Sequence, residues 1–436
     1  MKRIAALDIL RGLSMLGLVA FHAIDKTMYP GHLDNYLDLP VWELIIFGFI
    51  FYFGSWRGLF LIISGAANTY AYEEALRSGV NPSRYFVKQL LWGIILLAWG
   101  IVVQLFFNPW SGINDYIVTG NFNWVGSLRN LKWSDALETI GLCLIITSLC
   151  QFALSEFKSH RNAKLKIIFY SMMVVCIFST WNSIFRYFEI TQGLVPSNIV
   201  SMPQTNFLEV FKAFWMGLLI GYQEPLIPYL ASFAVGNIFG IILSSSTLEK
   251  EKRKFEIGSY SSGMFFVSLG FLLWIFRDKM LFGGDYMVPP DWFFYIGLGF
   301  QIMVIIAFLH AFDFSKRAEH RMKRTKLVRR AGLISLTIFT LQPLDLIPRA
   351  FLNLFFKENF VVRGGLDFWK AILCGGVVLL FWIGLVILWG YINYALSFDY
   401  IFVILRRLLA GKKVYLKDPL RSKEIIKNSE PFITPT

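Results

Sequence analysis

Apolar residues recur along this chain in blocks of about twenty, separated by short polar connections. Helical residues rise about 1.5 Å each, so about twenty of them match the ~30 Å hydrocarbon core of a bilayer. Ten such blocks run roughly 4–25, 57–76, 88–107, 135–154, 165–185, 225–245, 257–276, 292–312, 330–348 and 369–396. Two shorter apolar segments, 41–53 and 207–222, are too brief to cross and read as helices lying in, or dipping into, the outer interface. The expected fold is all-α: a polytopic helical membrane protein with about ten transmembrane helices and one or two interfacial or re-entrant ones. Residues 1–410 read as a single transmembrane domain and 411–436 as a basic cytoplasmic tail.

Composition agrees, with 56% hydrophobic and 17% aromatic residues. A net charge of +13 raises the prospect of nucleic acid. The placement of the charge argues against it, because most Lys and Arg fall in alternate connections: 1–3, 73–88, 155–166, 246–256, 314–330 and 397–436. By the positive-inside rule those segments face the cytoplasm, as do both termini, and the partner is a lipid bilayer rather than nucleic acid. A crossing at 207–222 would turn the run from Lys316 to Arg330 outward. Cys143, Cys150, Cys176 and Cys374 lie in apolar stretches without C-x-x-C spacing, so no disulfide framework or metal site is expected.

The first block departs from simple hydrophobicity. It carries Asp8, Arg11, His22 and Asp25. At about 100° per residue, Arg11 and His22 differ by only ~20° in azimuth, and all four side chains share an arc of ~100°. Ionisable groups in a membrane cost several kcal/mol unless they face protein or trapped water. This stripe therefore predicts a polar interior beside the first helix. An i,i+3 pair of Asp8 with Arg11 near the inner interface is the plainer account of half of it. A signal peptide is a poorer reading, since Asp8 and Arg11 interrupt the apolar core and no small-residue cleavage site follows.

His22 has Asp25 at i+3, a base-and-orienter spacing that suits nucleophilic or general-base work near neutral pH. The following loop adds His32, and the chain has five histidines in all. Small residues Ser64, Gly65, Ala66 and Ala67, with Asn68 at i+4 from Ser64, read either as close helix packing or as a passage for a slim acyl or pantetheine arm. Arg84 and Lys88 flank a helix start behind Asn81-Pro82-Ser83, a natural phosphate site or ordinary inner charge. Asp135 and Glu138 open the fourth span, either as a helix cap or as groups that meet a sugar hydroxyl. Asn182, Asn237, Gln301, Gln342 and Asp345 are further polar groups in or near spans, with no readable spacing.

Arg3 with Leu7-Asp8-Ile9-Leu10-Arg11-Gly12-Leu13 resembles the opening of transmembrane acyltransferases, both the heparan-alpha-glucosaminide N-acetyltransferase family and the acyltransferase type 3 family. Arg11 and His22 match the R-x10-H signature of the latter. Phe60 to Gly65 is similar to an F-x-x-x-S-G element, and Leu137-Glu138-Thr139-Ile140-Gly141-Leu142 to the L-Q-x-I-G-L element of the heparan branch, with Glu138 in place of Gln. Glu224-Pro225 and Gly332 to Thr337 resemble two later elements of that branch.

The resemblance implies an integral, multi-pass membrane acyltransferase, of the plasma membrane if the source is a prokaryote. It would move an acyl group, acetyl above all, from cytosolic acyl-CoA to a sugar or glycan amine or hydroxyl on the far side. No permanently bound cofactor is implied; acyl-CoA is the donor substrate. His22, His32, Asp25, Asp8 and Arg11 are then the candidate catalytic group. In the heparan branch a histidine of the outer loop is the proposed catalytic one, which keeps His32 beside His22. Arg57, Ser64, Gly65, Asn68, Arg84, Lys88, Asp135 and Glu138 are the candidate donor and acceptor contacts, with the pantetheine arm threading between spans one and two. A homodimer is left open. The rival is an exporter of a small anion or lipid-linked sugar, which predicts paired repeats. The five-residue echo of Phe21–Asp25 in Leu309–Asp313 is too short to supply one.

Overall fold

The computed structural model describes residues 3–29, 40–54, 57–107, 116, 120–121, 128, 131, 134–156, 162–192, 207–221, 224–276, 291–361, 364–409 and 420. These residues divide between two compact units. One comprises 57–106 and 123–310; the other combines 3–56, 107–122 and 311–436, so that segments early and late in the chain share it.

The central unit holds α3 (Arg57–Arg77), α4 (Pro82–Val102), α5 (Ala136–Glu156), α6 (Ala163–Gln192), α7 (Phe207–Ile220), α8 (Leu226–Leu243), α9 (Leu248–Phe276) and α10 (Asp291–Leu309). Helix α4 begins at Pro82, with the Asn81 side chain accepting from Ser83 N at 2.9 Å. That satisfies one of the four amides a helix start leaves open. Helices α3 and α8 approach through glycines: a Cβ on Gly65 would collide with the Phe233 carbonyl, and one on Gly236 with that of Ile62. Small residues allow backbones to come this close where lipid offers no hydrophobic drive for association.

Polar groups buried between these helices satisfy one another. Thr69 Oγ1 donates to Asn237 Oδ1 at 2.8 Å and accepts from Gln151 Nε2 at 3.1 Å. Lys166 and Glu73 form a buried ion pair at 2.5 Å.

The terminal unit is built on α1 (Ala5–Thr27), with α2 (Val41–Gly54), α11 (Ala318–Arg324), α12 (Lys326–Leu333), α13 (Ser335–Thr340), a 3₁₀ turn at Gln342–Asp345, α14 (Leu346–Leu352), α15 (Phe368–Tyr391) and α16 (Phe398–Leu409). Helix α1 is held at both ends. The Asp313 carboxylate accepts from Ala5 N at 3.0 Å and Ala6 N at 2.8 Å, placing an anion where the helix dipole is positive. Beyond its last turn, Met28 and Leu366 pair as extended chain, with Tyr29 N donating to Leu366 O at 2.8 Å. Midway, Gly12 lets the Val328 carbonyl come against α1.

Eight helices among the described residues are long and apolar enough to cross a membrane: 5–27, 82–107, 136–155, 163–181, 226–243, 248–276, 291–314 and 368–391. They coincide with eight of the ten expected spans. Helix α3 has 21 residues but carries Asn68, Thr69, Glu73 and Glu74, which lower its apolarity. The expected span 330–348 is not one helix. It is divided into α12, α13, the 3₁₀ turn and α14. Pro343 accounts for the central interruption: it has no N–H to donate, and its ring collides with the carbonyl four residues back. Helices α2 and α7 have 14 residues each, about 21 Å, and fall short of a crossing as expected.

Candidate active site

The stripe on α1 separates into an N-terminal and a C-terminal group. At the N-terminal end, Asp8 is buried and its carboxylate takes a two-point contact from Arg3, Nε to Oδ2 at 3.0 Å and Nη2 to Oδ1 at 3.1 Å. The matched fork geometry makes Arg3, five residues earlier, the partner rather than Arg11 at i+3. Arg11 is partly buried and lies within electrostatic reach of Asp8 and Asp399. Asp399, at the start of α16, accepts from Thr337 N at 2.9 Å and from Thr337 Oγ1 at 2.7 Å. Desolvation pushes its carboxyl up to about 6, against the pull of those hydrogen bonds and of Arg11.

At the C-terminal end, His22 is partly buried and its Nδ1 lies 3.0 Å from Gln342 Oε1. One turn on, the Lys26 ammonium is buried and lies 4.0 Å from Asp345 Oδ2. The other Asp345 oxygen accepts from Trp382 Nε1 of α15 at 2.7 Å. His22 and Lys26 are i,i+4 on one helix face, and Gln342 and Asp345 are i,i+3 across the 3₁₀ turn, so two short steps meet two others. Asp25 is exposed. His32 lies outside the described residues.

In the central unit the expected donor and acceptor contacts have packing and capping partners. Gly65 is spent on the contact with α8. Asn68 Nδ2 turns back to Ser64 O at 2.8 Å. Arg84 is exposed on the first turn of α4, and Lys88 sits 4.9 Å over the Tyr85 ring. Arg57 opens α3, and its side chain lies outside what is described. Asp135 Oδ1 accepts from Ala136 N at 2.7 Å, and Glu138 Oε2 reaches back to accept from Asp135 N at 2.9 Å, the returning half of a capping box. Glu138 is 1% exposed beneath Gly100. Glu224, also buried, is tied to the same helix start. Its N–H donates to Ser134 Oγ at 3.2 Å, and its carbonyl accepts from Thr139 Oγ1.

The family model for heparan-alpha-glucosaminide N-acetyltransferase, catalytic, matches residues 3–272, more than half of the chain. The chain belongs to this family. It is accordingly an integral, multi-pass protein of a membrane acetyltransferase family. No individual curated protein matches it. The family stretch holds His22, His32, Ser64, Arg84, Glu138 and Glu224. Gln342, Asp345 and Trp382 lie beyond it, so the polar side chains that meet His22 and Lys26, directly or through Asp345, come from outside the matched region. Sequence reading left Gln342 and Asp345 without a role, and Lys26 and Trp382 unremarked. Their signal was the tetrapeptide Gln342-Pro343-Leu344-Asp345. A proline flanked by an amide and an acid inside an apolar block marks a broken helix, which membranes accept only where protein or a cavity surrounds it.

Proposed function

We propose that this member of the family transfers an acetyl group from acyl-CoA, supplied from the cytoplasm, to an amine or hydroxyl of a sugar or glycan on the far side of the membrane. The observation that carries the reading is the seating of His22, an imidazole within a transmembrane helix whose Nδ1 is 3.0 Å from an amide oxygen. An amide oxygen only accepts, so Nδ1 bears the proton, and in the neutral imidazole Nε2 bears the lone pair. Such a nitrogen serves as a general base or a nucleophile near neutral pH.

In the direct route Nε2 takes the proton of the acceptor's O–H or N–H as that atom attacks the thioester carbonyl. The C–S bond breaks, and the imidazolium returns its proton to the departing CoA sulfur. In the two-step route Nε2 itself attacks the thioester carbonyl, the C–S bond breaks and CoA leaves as the thiolate; the acceptor then attacks the acetyl-imidazolium, the N–C bond breaks to free the imidazole, and the acceptor's proton balances the thiolate released before. Both routes use the same nitrogen, and trapping labelled acetyl on the protein without acceptor separates them. Asp25, one turn on, adds a carboxylate to the same helix face. Arg11 and Asp8 hold the inner half of α1. The exposed Arg84 and the adjacent Lys88 are the proposed contacts for the donor's phosphates, at a helix start whose dipole favours anions.

The test is release of CoA thiol from acetyl-CoA by the purified protein in detergent, together with its thermal stabilisation by CoA. His22→Ala abolishes turnover, while His32→Ala keeps it. The reverse pattern transfers the role to His32, and two near-normal variants remove both. A protein that neither releases CoA nor is stabilised by it is better explained as an exporter.

A further inference from the structure

We infer that Gln342 is a positioning residue for His22, fixing the imidazole as the Nδ1–H tautomer. The inference rests on the catalytic reading of His22, and it gives the broken helix a purpose in the reaction. Gln342 is 4% exposed, and its Nε2 makes no hydrogen bond. A buried amide nitrogen left in that state costs about 1–3 kcal/mol. Packing alone would be served better by leucine or methionine at this position, so the oxygen is the part of the side chain that matters.

The oxygen is also held still. Three residues later Asp345 is clamped by Trp382 Nε1 at 2.7 Å and faces the Lys26 ammonium at 4.0 Å. The 3₁₀ turn between them thus docks on α1 and α15 at once. A regular helix through 342–345 would advance about 100° per residue; the tighter turn brings Gln342 and Asp345 nearly into line, as contact with an i,i+4 pair on α1 requires. Pro343 sets that geometry. A neutral amide rather than a carboxylate at Nδ1 fixes the tautomer without adding a charge to the site.

The experiment has two arms. In bilayers, solid-state nitrogen NMR of ring-labelled histidine, with His22 assigned by subtracting the His22→Gln spectrum, reads which nitrogen carries the proton. His22 is expected as the Nδ1–H form in the wild type and as a mixture in Gln342→Leu. In the turnover assay Gln342→Leu loses about 100-fold in kcat with KM for acetyl-CoA unchanged, the size of a general-base contribution. Gln342→Glu, which keeps an acceptor of the same length, retains turnover within about 10-fold and shows that the Leu effect is not one of folding. A wild-type His22 protonated on Nε2, or a fully active Gln342→Leu, overturns the inference. If the wild type transfers no acetyl group at all, the functional reading fails while the spectra still decide whether Gln342 sets the tautomer.

Discussion

Glu138 shows how much one side chain's surroundings decide. It is a carboxylate where the family element resembles Gln, and it is buried with one oxygen on the Asp135 amide. The hydrogen bond needs an acceptor, not a charge. Glu138→Gln should therefore melt within about 2 °C of the wild type, whereas Glu138→Ala should lose about 0.5–2 kcal/mol, the usual cost of a missing cap. Thermal unfolding followed by tryptophan fluorescence checks both. Lys26 is the opposite case. Removing the ammonium in Lys26→Met leaves the buried Asp345 carboxylate with Trp382 but without its cation, and should lower the midpoint by several degrees. Combining it with Asp345→Asn, which still accepts from Trp382, should restore part of the loss, and the double-mutant cycle measures the coupling.

Among the helices, length and position were legible because a bilayer demands about twenty apolar residues and tolerates few alternatives. The starts of α4 and α5 were legible too, since Asn81-Pro82 and Asp135 with Glu138 are capping chemistry written in order. The small residues of α3 were ambiguous in the sequence, and Gly65 resolves as packing because its neighbour, Phe233, lies far along the chain. Gly236→Leu should accordingly separate α3 from α8 and abolish a monodisperse peak in fluorescence-detected size exclusion, whereas Gly258→Leu, with open space around it, should not.

The break at 334–345 was missed, because an apolar count over 330–348 does not register Pro343, although the Gln342-Pro343-Leu344-Asp345 step carries its signal. Helix α16 is joined to that break through Asp399 and Thr337. With its carboxyl raised to about 6 from an ordinary value near 3.8, Asp399 favours the folded state most when protonated; that contribution is full below about 4 and is lost as pH rises through 6. Asp399→Asn should flatten the fall in melting temperature between about pH 4 and 6.5, and an unchanged slope would remove Asp399 from the account.

For the molecule as a whole, orientation follows from charge alone and can be checked directly. A membrane-impermeant maleimide should label Thr247→Cys only from the cytoplasmic side and Asn359→Cys only from the opposite side, both positions being exposed. The candidate chemistry was half legible. His22 stands out in the sequence by its place on a charged helix face. Its partner Gln342 stands 320 positions away and has no spacing that a periodicity could reveal.

The clasp of Asp313 on the first amides of α1 bears on how the protein is made. The two contacts join residues 308 and 307 positions apart. At roughly 5–20 residues per second, a ribosome needs about 15–60 s between emitting one and the other. For that interval the opening helix has Arg3 beside Asp8 but lacks the partners it draws from Asp313, Gln342 and Asp345. Nascent chains stalled before residue 313 should be cleared by membrane quality-control proteases far faster than chains stalled after residue 350, making the last third of translation the step that secures the first helix.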